Sequence, residues 1–204
     1  RKESSAASDV YKRQVYRAEL MTLLPGRACA TDAVLAGAPA LDESWWGELE
    51  RNLEALSDAR TDRMVLDPEI MRRRISVFFG IEMDIDSDDW VPSHGDLHWN
   101  NIHRDPFAIA DWEAWGLAPR GYDAAFLLGH SLAVPHVADQ IARRFRRDLE
   151  SEGGIVSQLY VMTKLLTRAD AGEHEHLVPA LHRHVGRLLG TRVPPGRRSS
   201  SSTT

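Results

Sequence analysis

Cysteine is nearly absent from this sequence: Cys29 is the only one in 204 residues, so no internal disulfide can form. That usage fits a reducing compartment. No run of eighteen or more apolar residues occurs, which leaves no candidate for a hydrophobic membrane-spanning helix. An excess of basic charge is missing too. The 25 Lys and Arg are outnumbered by 30 Asp and Glu, for a net charge of -5 and a pI near 6.0. Such a balance provides no sequence-wide field for a phosphate backbone, so neither nucleic acid nor a membrane is an expected partner. Neither end has the basic, apolar, small-residue order of an export signal, and the expected location is the cytoplasm. Glycine-rich turns are scarce in the first half, where the glycines before His94 stand apart at 26, 37, 47 and 80. Lysine is scarcer still, with only Lys2 and Lys12 upstream of His94.

What remains is 43% hydrophobic and 27% charged, enough for one substantial core. Residues 1–14 lack apolar periodicity and read as a non-native or disordered leader. The tail 193–204, PPGRRSSSSTT after Val193, has a composition that cannot bury enough surface to offset its ordering entropy. Residues 15–192 are expected to form one domain. Tyr16 to Leu24 reads as a connector or edge strand that ends at Pro25-Gly26. Trp45, Leu49, Leu53 and Leu56 fall on one helical face over 42–57, with Asp42 placed to cap. Pro68 after Asp67 opens a second helix that ends near Gly80, with Met71, Ile75, Phe78 and Phe79 as its stripe. Four more helices are expected over 122–133, 135–150, 155–169 and 173–189. The fold class is therefore mainly α with a short β hairpin, an α+β arrangement.

The stretch between the two helical groups is VPSHGDLHWNNIHRDPFAIADWEAWG. Phosphoryl transfer to a hydroxyl needs one carboxylate to take the hydroxyl proton and further oxygens to hold Mg²⁺ against the nucleotide phosphates. Asp96, Asn101 five residues later, and Asp111 can supply that set. Their offsets match the protein-kinase catalytic loop H-R-D-x-x-x-x-N followed by a metal-binding aspartate, with Gly95 in place of the arginine. Turn and strand-end positions also favour Asp and Asn for purely structural reasons.

HGDLHWNNI followed by IADWEAWGLAPRGYDAA resembles the aminoglycoside phosphotransferase and choline kinase family of kinase-like enzymes, over about residues 15–190. The resemblance implies the C-terminal lobe of a protein-kinase-like fold and an ATP- and Mg²⁺-dependent transfer of the γ-phosphoryl group to a hydroxyl of a small molecule. It implies Asp96 as catalytic base, Asn101 and Asp111 as ligands of the metal and nucleotide, and Glu113 as a further carboxylate that touches metal through water. His94 and Asp123 would support the loop. The glycine-rich loop and strand lysine of a complete kinase have no counterpart upstream, so the chain is expected to be a fragment without the nucleotide-binding N-terminal lobe and nearly inactive by itself. The alternative is a non-catalytic kinase-like binding module.

Other signals are weaker. Gly95-Asp96-Leu97-His98 is similar to a metallophosphoesterase metal motif, but its downstream partners are missing. His98 could orient Asp96 or serve only as loop structure. His174, His176, His182 and His184 lack metal-binding spacing and are expected to be solvated, as are the arginines of RRFRR at 143–147 and of 72–74. Trp45 and Trp46 read as core. Trp99, Trp112 and Trp115 either wall an acceptor pocket or pack the motif. Glu150, Glu152, Glu173 and Glu175 lean toward a cationic acceptor. Oligomeric state is left open.

Overall fold

Short polar side chains set where the helices begin. In a computed structural model, which describes Leu24 and residues 26–190, Asp42 caps helix α1 (Glu43–Ser57) by accepting the Trp45 amide at 2.9 Å. Asp67 caps α2 (Pro68–Phe79) by accepting from Glu69 and Ile70, and left-handed Gly80 closes it. The leader, nearly all of the 16–24 segment and the tail lie outside the described residues.

Two small antiparallel sheets follow, where one hairpin was expected. Strand β1 (Arg27–Ala28) joins the hairpin of β3 (Ile102–Arg104) and β4 (Ala108–Ile109), with Ala28 opposite His103 and Ile102 opposite Ile109. The second sheet pairs β2 (Val91–Ser93) with β5 (Gly116–Ala118), Ser93 lying opposite Gly116. About 52% of the described residues are helical, so the fold is mainly α with a short β part.

The remaining helices are α3 (Tyr122–Gly129), α4 (Pro135–Arg144), α5 (Arg146–Leu149), α6 (Glu152–Asp170) and α7 (Val178–Leu189). The helix expected over 135–150 breaks at Phe145, whose φ of -100° and ψ of 24° leave the helical region while its ring enters the core. The last helix starts later than expected, because Pro179 has no amide to donate and belongs in a first turn. Helix α6 is the hub, packing against α2, α3, α5 and α7, and every residue from Val156 to Thr163 is buried. Gly129 admits it closely: a Cβ there would lie 2.9 Å from Leu165 Cδ1. Trp45 stacks on fully buried Trp99 at 6.2 Å and Trp46 meets it edge-on, so Trp99 packs the motif. Among the described residues no helix is long and apolar enough to cross a membrane.

Three side chains expected to be solvated hold elements together. Arg144 pairs with Glu43 and with Glu50 and lies over Trp46. Arg74 of α2 donates to Thr163 and Thr167 of α6. His184 is buried and meets Gln158 Oε1 at 3.0 Å.

Burial pushes His184 and His130 from the ordinary 6.5 down to about 4. The unfolded chain thus takes protons on both rings below about pH 6.5 while the folded chain refuses them until about pH 4, and stability falls as pH drops through that window. Urea unfolding at pH 7 and pH 5 should show a loss of about 2 kcal/mol per ring, and His184→Gln should remove its share of that loss. Equal pH dependence in the two proteins would contradict this assignment.

Candidate functional site

The loop from His94 to Asn101 runs from the end of β2 in one sheet to the start of β3 in the other. Its first turn needs a residue without a side chain. Gly95 has φ of +84°, and a Cβ there would come within 2.1 Å of the Ala114 carbonyl oxygen. Glycine at position 95 is therefore dictated by the local backbone.

Asp123, in the first turn of α3, holds this turn from behind. Its Oδ2 accepts the His94 amide at 2.7 Å and its Oδ1 accepts the Gly95 amide at 2.9 Å. Burial pushes the Asp123 carboxyl up, while those two amides and His94 pull it back; the balance is a raised pKa. His94 has no exposed surface, and its ring ties three parts of the loop together. Its Nε2 donates to the Ala110 carbonyl at 2.8 Å, which leaves Nδ1 to accept the Asp96 amide at 3.3 Å, and the ring meets Trp112 edge-on at 4.7 Å.

Asp96 stands just beyond this braced turn with a third of its side chain exposed. Burial opposes its ionisation, but the hydrogen bond and charge of His98, together with Lys164 and His130, outweigh it and lower its pKa. His98 Nε2 lies 3.5 Å from Asp96 Oδ2. Asn101, buried, donates its side-chain amide to the Asp96 carbonyl at 3.0 Å, so its remaining polar atom is an acceptor oxygen. Asp111 follows β4 in a left-handed conformation, φ 61° and ψ 68°, and caps a 3₁₀ turn (Trp112–Ala114) without a side-chain hydrogen bond. It is exposed, and its carboxylate makes no hydrogen bond or ion pair among the described residues. Glu113 is exposed on the same turn, with its carbonyl held by Arg63.

No three His, Cys, Asp or Glu side chains among the described residues are arranged to hold a metal ion. The donor set is still compatible with Mg²⁺, which commonly takes one or two protein carboxylates and completes its shell with water and phosphate oxygens. Asp111 offers a free carboxylate and Asn101 a free amide oxygen, both hard donors. Glu113 joins no such cluster.

Sequence reasoning passed over Lys164, which is largely buried on α6. Its Nζ is 3.4 Å from the Tyr122 hydroxyl and 4.9 Å from the Phe126 ring centre. The available signal was a lone lysine inside an otherwise apolar stretch, VMTKLL. His130 was passed over as well: it stacks on Phe126 and lies 5.8 Å from His98. Trp115 lies under the Arg63 guanidinium, 5.6 Å away, at the outer edge of the motif.

No protein-family model matches the chain, and no curated protein and no solved structure matches it either.

Replacing Asp123 with Ala strands two buried amides. Asp123→Ala should lose about 2–5 kcal/mol in urea unfolding, and Asp123→Asn, which keeps one acceptor, should lose less. Hydrogen exchange at the His94 and Gly95 amides should accelerate in both variants. Unchanged protection in Asp123→Ala would show that the carboxylate does not brace the loop.

Proposed function

We propose that this chain is the catalytic lobe of a kinase-like phosphotransferase that moves the γ-phosphoryl group of ATP to a hydroxyl of a small molecule. The observation that carries the reading is the way the loop is built around Asp96. Its peptide is gripped from both sides, by His94 at the amide and Asn101 at the carbonyl, while its carboxylate is left accessible. A turn that served only to connect two strands would have no need to fix one acid so closely and keep it open to solvent.

In this reading Asp96 accepts a hydrogen bond from the acceptor hydroxyl, aims its oxygen, and takes its proton as the new bond forms. Its lowered pKa keeps it ionised at neutral pH. A weak base suffices, because a loose phosphoryl-transfer transition state demands positioning more than early proton removal. His98 holds the carboxylate's orientation through Oδ2. Asn101 and Asp111 would hold Mg²⁺, with Glu113 able to reach it only through water. Bound Mg²⁺ and ATP would supply the phosphoryl group and neutralise its developing charge. Asp123 and His94 act through the loop and touch no substrate. The resemblance to the aminoglycoside phosphotransferase and choline kinase family supports the same roles and a kinase-like lobe.

Calorimetric titration of ATP with Mg²⁺ into the full chain tests this directly. The wild type should bind, though weakly for want of an N-terminal lobe, and Asp111→Ala should bind at least about tenfold more weakly still, as expected when a charged ligand to the ion is lost. Absence of binding by the wild type, or equal binding by the variant, would overturn the reading.

A further inference from the structure

Close enough to Asp96 to act on its charge stands Lys164, a cation that the phosphotransfer reading leaves unused. Lys164 and Arg168 are four residues apart on α6 and so share a face. Arg74 reaches the same helix from α2, its Nε 3.1 Å from Thr163 Oγ1 and its Nη2 3.0 Å from the Thr163 carbonyl and 2.6 Å from Thr167 Oγ1. Those hydroxyl and carbonyl partners fix the guanidinium without neutralising it. Arg168 has a distant, exposed partner in Glu173 at 3.9 Å. Lys164 has no carboxylate within ion-pair distance among the described residues; its contacts are the Tyr122 hydroxyl and the Phe126 ring.

Burying a lysine without a counter-ion costs free energy, and the two neighbouring arginines add to that cost. The balance can be read from the charges acting on Lys164: Asp96 attracts it, while Arg168 and Arg74 repel it. Asp96 is thus the carboxylate that acts on Lys164, and it already has His98 as its partner. The acids that could have suited a cationic acceptor are placed otherwise. Glu150 pairs with Arg146 on the surface, and Glu152, Glu173 and Glu175 are exposed, none of them within ion-pair distance of Lys164.

We infer that the hydroxyl compound received beside Asp96 carries an anionic group, a carboxylate or phosphate, which docks on Lys164 with Arg168 and Arg74 at its flank. This rests on Asp96 being the acceptor side of a phosphotransfer site. The buried Tyr122 hydroxyl accepts from the Lys164 ammonium and so directs it. An acceptor bound in this way brings the missing negative charge with it, and the site rejects a polyamine by placing cation against cation.

Three compounds of one size and different charge test it: glycerate, glycerol and serinol, titrated into the full chain and followed through the amide signals of Tyr122 and Lys164. Glycerate should bind in preference to both others. Lys164→Met, which keeps the length of the largely buried stem, should weaken it by about tenfold to a hundredfold, while Lys164→Arg should retain most of the affinity. Serinol binding as well as glycerate, no binding of glycerate, or unchanged binding in Lys164→Met would overturn the inference. So would competition between glycerate and Mg²⁺ with ATP, since it would assign Lys164 to the nucleotide phosphates. Glycerate binding by a chain that does not bind Mg²⁺ with ATP would support the anion site and overturn the phosphotransfer reading instead.

Discussion

The buried carboxylate of Asp123 organises the part of the molecule on which every functional argument here depends. A left-handed glycine turn at the end of a three-residue strand exposes two amides that the sheets cannot satisfy. Asp123 accepts both, at 2.7 and 2.9 Å. It can do so because α3 is almost wholly buried and its N-terminus is brought close to the turn by β5, which pairs with β2. The constraint then passes along the loop. With Gly95 fixed, His94 can bridge the Asp96 amide and the Ala110 carbonyl, and Asn101 can close on the Asp96 carbonyl. Two sheets of two and three strands, too small to be stable alone, thus become a rigid mount for one acid.

The helical core supports this mount from the other side. Helix α6 brings Lys164 to the Tyr122 hydroxyl, and α3 carries Tyr122 and Asp123 in adjacent positions. The Gly95 turn, through Asp123, and Lys164 of α6, through Tyr122, are therefore both tied to the packing interface between α3 and α6. In the proposed reading, an acceptor would be held by its charge on one helix while its hydroxyl is aimed by a loop anchored to the next.

Much of the fold was legible because the signals were local. Asp42, Asp67-Pro68 and Gly80 mark helix ends through their own chemistry, and the stripes of α1, α2, α6 and α7 repeat at helical spacing. The β region was less legible, since β1, β2 and β5 have only two or three residues and cannot display an alternating pattern. The break at Phe145 was hidden because Phe145 continues the apolar stripe it interrupts. At the site, Asp96, Asn101 and Asp111 stood out by type and spacing. The neighbours that set their environment, Lys164 and His130, come from helices 34 to 68 residues downstream of Asp96, and nothing local relates them to it. Arginines tell the same story: Arg74 and Arg144 look like solvated charges in sequence, and only their long-range partners show otherwise.

The central proposal is that the loop at Asp96 and the hairpin that follows it to Asp111 form a single metal–nucleotide site. Its most direct test is paramagnetic relaxation by Mn²⁺ with ATP in an amide NMR spectrum of the full chain. The account predicts that broadening begins at Asp96, Asn101 and Asp111 and leaves Leu181 and Val185 of α7 sharp. Broadening centred instead on the exposed acidic stretch from Glu82 to Asp89, or no localised broadening at all, would contradict it.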